Sequence, residues 1–221
     1  VLVTSVRLDA SGDPAVLRRW EEASAEAPAV PEGGPVVSRP EAGDPNGAGF
    51  DFHEPLAPLP RLLIVGAGHV GRAVSRLAGP LGFEVTVIDD RAEFASPERF
   101  PDADRLIVDD PGRSLAEYPV GRDSYIVIVT RGHKDDAAAL RACVKSPAAY
   151  VGMIGSRSKV GIIRGRFLAE GWASEAEFDR VRTPIGLPIG SKTVEEIAVS
   201  IAAELVLVRS RAAAADGPDD K

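Results

Sequence analysis

The sequence predicts an α/β fold: a doubly wound parallel sheet with a short irregular N-terminal extension. Three observations carry this prediction. From Arg61 onward, short runs rich in Val and Ile alternate with helical patterns. Those runs are almost continuously apolar, as strands covered on both faces must be. The first run leads straight into "GAGHVG", which places Gly66, Gly68 and Gly71 at the start of a helix.

The chain has 221 residues, enough for one full α/β domain and some extra. Residues 1–60 read as an N-terminal remnant with a Pro/Gly-rich linker. Within them "VLVTSVRL" suggests a strand and "PAVLRRWEEASAEA" a short helix. "PAVPEGGPVVSRPEAGDPNGAG" reads as linker, and "FDFHEPLAPLP" adds an edge strand. Residues 61–209 form the main domain. Its strands are expected at 62–65, 84–88, 105–108, 125–129 and 148–153. Helices are expected at 70–78, 134–144, 158–170, 174–181 and 194–208. Strand–helix alternation of this kind specifies a parallel sheet. Thr193 and Glu196 have the capping-box spacing at the start of the last helix. Residues 210–221 read as a disordered tail.

Composition excludes several function classes. A net charge of −7 argues against a nucleic-acid partner. No apolar run approaches the roughly 20 residues of a membrane span. A basic start followed by an apolar stretch, the mark of a signal peptide, is not seen. The single cysteine, Cys143, rules out an internal disulfide and suits a reducing, cytoplasmic setting. It falls on the apolar face of its helix and reads as a core residue. The chain begins at Val1 rather than Met, which leaves room for a longer protein.

The glycine turn carries the chemistry and makes the fold Rossmann-like. Gly66 makes the tight turn, Gly68 lets backbone approach a diphosphate, and Gly71 lets helix and strand pack closely. With His69 and Val70 these residues open a helix whose first amides face an anion. Asp89 ends the second strand 23 residues after Gly66, where an acid binds a ribose hydroxyl. Asp89 and Asp90 favour NAD over NADP, while Arg91 pulls the other way. Two further clusters end strands on the same edge of the sheet. "TRGHKDD" supplies Thr130, Arg131, His133 and Lys134. "GSRSK" supplies Gly155, Ser156, Arg157 and Lys159. Cations at a helix start oppose its dipole, so "GSRSK" suggests a second anion site. For His69 and His133 a structural role in the turn stands beside the functional one. "TPIGLPIGSKT" reads as a structural connector. No metal-ligand cluster and no catalytic residue set is evident.

"RLLIVGAGHVGRAV", "VTVIDDRAEFASPERFPDAD", "TRGHKDDAAALR", "AAYVGMIGSRSK" and "TPIGLPIGSKTVEEIAVSIAAELV" resemble, in order and spacing, the C-terminal Rossmann domain of the XdhC/CoxI family. The resemblance covers about residues 54–209. It implies an accessory, chaperone-like role in maturing the molybdenum cofactor for xanthine dehydrogenase and related hydroxylases. The implied ligand is a molybdopterin-type cofactor or NAD(P). The implied partners are a molybdenum hydroxylase, a cysteine desulfurase and a second copy of the chain. Three departures stand out: no cysteine in residues 1–60, Pro188 where the family has Asp, and Val194 where it has Pro. Two other readings remain open at this point. One is an NAD(P)-dependent oxidoreductase using Asp89 and a proton donor such as His133. The other is a nucleotide-sensing regulatory module.

Overall fold

Leu62–Val65 explain why the main sheet forms as it does. The computed structural model, which describes residues 2–8, 14–20, 36–38, 49–54 and 59–215, buries all four completely. Successive side chains of a strand point to opposite faces. Leu63 and Val65 accordingly join one hydrophobic cluster, and Leu62 and Ile64 join the other. A strand that is apolar at every position therefore needs helices on both faces.

That arrangement is observed in the larger of two units, Leu59–Arg209; the other comprises Val1–Pro58 and Ser210–Lys221. The larger unit has five strands: β5 (Arg61–Val65), β6 (Glu84–Asp89), β7 (Arg105–Val108), β8 (Ser124–Ile128) and β9 (Tyr150–Met153). They pair in parallel in the order β7-β6-β5-β8-β9. Helices α1 (His69–Ala78) and α6 (Val194–Ala215) contribute Val74, Ala78, Ala198, Ile201 and Leu205 to one face. Helices α2 (Pro111–Glu117), α3 (His133–Cys143), α4 (Arg157–Ala169) and α5 (Glu175–Asp179) contribute Leu115, Leu140, Ile163, Phe167 and Phe178 to the other. Cys143 is fully buried in this second layer, as its helical position predicts. The expected box at α6 forms: Glu196 N–H donates to Thr193 Oγ1 at 3.2 Å, and Thr193 N–H donates to Glu196 Oε2 at 3.0 Å.

The connector before α6 is tied down from both sides. Thr183 Oγ1 donates to the Met153 carbonyl at 3.1 Å. Gly186 N–H (2.8 Å) and Tyr150 O–H (2.5 Å) both donate to the nearly buried Glu204 of α6. Burial and the Glu204 carboxylate push the Tyr150 hydroxyl well above its ordinary range.

Four expectations need correction. The N-terminal extension is not irregular: β1 (Leu2–Leu8), β2 (Pro14–Trp20), β3 (Val36–Ser38) and β4 (Gly49–Glu54) form an antiparallel sheet in the order β2-β1-β4-β3. Residues 14–20 are strand, not helix, and pair with β1 along its whole length, from Leu8↔Pro14 to Leu2↔Trp20. Pairing with a neighbour overrides weak local helical preference, and Pro14 sits where strands tolerate proline, at the first residue of an edge strand. Helix α2 is not among the expected helices; Asp110 caps it, accepting from Arg113 N–H at 2.8 Å, and Pro111 occupies its first position. Finally, α6 continues through residues 210–215, where four alanines sustain the helix. Residues 216–221 of the expected tail lie outside the described residues.

Candidate functional site

The strand order reverses direction at β5, between β6 and β8. In a doubly wound sheet the loops after neighbouring strands diverge at that point and leave a crevice. The crevice here has a volume of about 320 Å³. Gly66, Gly68, His69, Val70, Asp89, Arg91, Val129, Thr130, Arg131, Ile154 and Val194 line it.

The three glycines differ in what requires them. Gly66 has φ +116°, and a Cβ there would stand 2.6 Å from the Val129 carbonyl oxygen. Its N–H donates to the Ile88 carbonyl at 2.8 Å, fixing β5 to β6 at the turn. A Cβ on Gly71 would collide with the Gly66 carbonyl. Both are therefore demanded by the fold. Gly68 has an ordinary φ of −73°, and a Cβ there would meet nothing within 4 Å. Gly132, which precedes α3, is likewise unhindered, with φ −156°. Gly68 and Gly132 are the N-caps of α1 and α3, and neither helix has a side-chain cap. Helices α2, α4, α5 and α6 are capped by Asp110, Ser156, Ser174 and Thr193. Of the helices that start at or beside the crevice, α6 is capped by Thr193, whereas α1 and α3 leave their first amides to another partner.

Asp89 is 4% exposed and heavily engaged. Its Oδ2 accepts from Ala67 N–H at 2.7 Å and Arg91 Nη2 at 3.0 Å. Its Oδ1 accepts from Arg91 N–H at 3.1 Å and Arg91 Nε at 2.8 Å. Burial alone pushes this carboxyl up, but the Arg91 guanidinium and the two amides outweigh it and hold the carboxyl below its ordinary range. Arg91 lies 3.6 Å over the Phe94 ring. Asp90, at the rim, pairs with Arg131 at 3.2 Å, an ion pair spanning from the tip of β6 to the tip of β8.

The remaining predicted residues gather beside the crevice. Thr130 Oγ1 donates to Asp136 Oδ1 at 2.5 Å. The Lys159 ammonium pairs with the other oxygen of Asp136, which is fully buried. Ser156 caps α4 by accepting from Lys159 N–H at 3.3 Å. Gly155 leaves room for the Lys159 stem, whose Cδ is 3.2 Å from where a Cβ would stand. The electrostatic conflict that suggested an anion at "GSRSK" is thus met for Lys159 by Asp136 inside the chain, and Arg157 alone stays exposed. The side chains of His133 and Lys134 lie outside the described residues.

Eight of the residues singled out from the sequence line one crevice: Gly66, Gly68, His69, Val70, Asp89, Arg91, Thr130 and Arg131. Ile154, Val194 and Phe94 were not singled out as site residues from the sequence. Ile154 follows β9 directly, and Val194 opens α6, so each reaches the crevice only through the fold. Phe94 had a readable signal, an aromatic three residues beyond Arg91. Among the described residues no group of three His, Cys, Asp or Glu side chains is arranged to hold a metal ion, and no helix is long and apolar enough to cross a membrane.

Sheet order, glycine turn and crevice together define a Rossmann-type domain. The XdhC Rossmann domain family matches residues 62–205, and the chain belongs to that family. It is 35% identical over 154 residues to the uncharacterized protein YqeB of Escherichia coli, covering 69% of this chain and 28% of that protein. It is 32% identical over 162 residues to a probable xanthine dehydrogenase subunit of Bacillus subtilis, covering 73% of this chain and 47% of that one. The chain therefore spans less than half the length of these relatives. A crystal structure described as a xanthine dehydrogenase from Bacillus halodurans superposes with a TM-score of 0.66 at 24% identity, over 95% of this chain and 60% of that one, a likeness of fold.

Proposed function

We propose that this chain is an accessory protein of a xanthine dehydrogenase-type molybdenum hydroxylase, and that it holds a phosphate-bearing, nucleotide-like cofactor in the β5–β8 crevice. The observation that carries the ligand half is Gly68: nothing in the chain's own packing requires a glycine there, and the space above it is open. A diphosphate or phosphomonoester approaching the uncapped start of α1 needs that space. The name of the Bacillus subtilis relative supports the hydroxylase half.

A molybdopterin-type cofactor is suited to this crevice through its phosphate. Backbone amides at Gly68 and Gly132 and the guanidinium groups of Arg91 and Arg131 are the groups available to hold it. When bound, the cofactor brings the sulfur and molybdenum chemistry of the hydroxylase. Arg91, Arg131 and the amides at the start of α1 and α3 would bind and orient its anionic end. Cys143 takes no part, because it is buried in the core and burial pushes its thiol up to about 12. The family resemblance adds a cysteine desulfurase and a second copy of the chain as proposed partners.

Coproduction tests the reading. A xanthine dehydrogenase-type hydroxylase made with this chain should contain more molybdenum cofactor, and be more active, than the same enzyme made without it. Gly68→Val should abolish the gain while the variant still folds. Equal cofactor loading with and without the chain would contradict the proposal.

A further inference from the structure

We infer that the β6 side of this crevice selects a ligand with a phosphomonoester at that point, and disfavours one presenting a bare ribose diol there. The inference rests on reading the crevice as a nucleotide-type site, and it goes further by naming the chemistry at one end of the ligand.

An acid at the tip of the second strand recognises a ribose diol only if it has lone pairs to offer. A carboxylate has about four acceptor positions. Asp89 already accepts four N–H groups, from the Ala67 amide and from the amide, Nε and Nη2 of Arg91. Both halves of this clamp line the crevice, and Asp89 comes to it with its acceptor positions taken. Arg91 lines the crevice, and Asp89 takes its Nε and Nη2 but not its Nη1. Its guanidinium is held in place at 3.6 Å over the Phe94 ring. Arg131 lines the crevice as well.

Asp90 is the competing anion. It lies 3.2 Å from Arg131 and 3.7 Å from Arg91 Nε. Its pair with Arg131 is half exposed on both sides, and such pairs contribute little. An incoming phosphomonoester carries more charge and three acceptor oxygens, so it displaces Asp90 from Arg131 at small cost. The charges of Asp89, Arg91, Asp90 and Arg131 sum to zero before the ligand arrives. A diol meets no free acceptor on Asp89, and Asp90, which keeps free lone pairs, stands at the rim outside the crevice lining, whereas a phosphate meets the guanidinium donors of Arg91 and Arg131. This reverses the preference for NAD that Asp89 and Asp90 suggest in the sequence.

NAD and NADP share the diphosphate and differ only by one ribose phosphate, so calorimetric titration of the full chain with both, at one low ionic strength, reads the inference directly. NADP should bind at least tenfold more tightly than NAD. Arg131→Gln, which leaves the Asp89 clamp intact, should narrow the ratio, and Arg91→Gln should bring it towards one. Asp90→Asn should tighten NADP several-fold and leave NAD unchanged. Thermal melting of each variant checks that it folds. Equal affinity for the two dinucleotides overturns the inference and leaves the crevice reading standing. Binding of neither dinucleotide also overturns the inference, and the crevice reading then rests on the molybdopterin ligands. Two smaller probes separate the sources of the phosphate: saturation by inorganic phosphate in the range of 2′,5′-ADP points to a phosphomonoester in general, and binding of 2′,5′-ADP alone points to a nucleotide.

Discussion

Gly66 and Gly68 stand two residues apart and answer to different constraints. Gly66 has a positive φ and a Cβ there would overlap the Val129 carbonyl, so Gly66→Ala adds backbone strain and a clash with main chain that cannot move aside. We expect a loss of roughly 2–4 kcal/mol in urea unfolding. Gly68→Ala should stay within about 0.5 kcal/mol of the parent, because its Cβ enters open space. If the two variants unfold alike, the division of labour in the turn is wrong. Asp89 makes a second test. Its folded-state carboxyl is held below the ordinary range, so the stabilisation it provides is present above about pH 4 and is lost as pH falls through the folded value. Asp89→Asn should make stability fall less steeply below about pH 4 in pH-dependent unfolding. The glycine spacing and the acid were legible in the sequence. Which glycine serves the chain and which leaves room was not, because that depends on a carbonyl 63 residues away at Val129. Nor was the closure of Arg91 onto Asp89, which depends on the conformation of the turn after β6.

Helices α3 and α4 are tied together by charge beneath the crevice. Asp136 is fully buried and accepts from Thr130 while it pairs with Lys159, so the loop after β8 and the start of α4 share one carboxylate. Lys159→Ala would leave that carboxylate buried without its cation, a change that costs about 3–5 kcal/mol in comparable pairs. Replacing both partners, Asp136→Leu with Lys159→Met, should be much less damaging than the single change, since no charge is then stranded. Chemical denaturation of the single and double variants checks this; equal losses would show that the pair is peripheral. The motifs "TRGHKDD" and "GSRSK" were visible as separate clusters. Their connection was not, because nothing in either motif says that its lysine and its aspartate face one another across two helices. The parallel strands were legible for the opposite reason: burial writes a nearly continuous apolar run in β5, β6, β8 and β9, and β7 carries a shorter one at the edge of the sheet, where it is only partly buried. Strand β2 was misread because seven residues of mixed pattern carry no decisive period, and their partner, β1, settles the matter. The start of α2 was written in "DDPG" as an acid cap followed by proline, but seven residues are too few to show helical periodicity.

The larger unit brings its most accessible chemistry to one place, where strand order reverses. The crevice follows from topology: the β6 and β8 loops leave in opposite directions from β5, and α1 and α3 both start there without side-chain caps. The sequence located this edge through strand–turn–helix order alone. It did not locate Val194, whose helix begins 128 residues after Gly66 yet lines the same crevice. The central claim is that a phosphate-bearing ligand occupies the space above Gly68. Native mass spectrometry of the chain, incubated with molybdopterin, its cytidine dinucleotide, NAD and NADP, tests that claim most directly. The account predicts a one-to-one complex with at least one of these ligands, lost in Gly68→Val while the variant keeps its folded charge-state distribution. No complex with any of them, or equal retention by Gly68→Val, would contradict it.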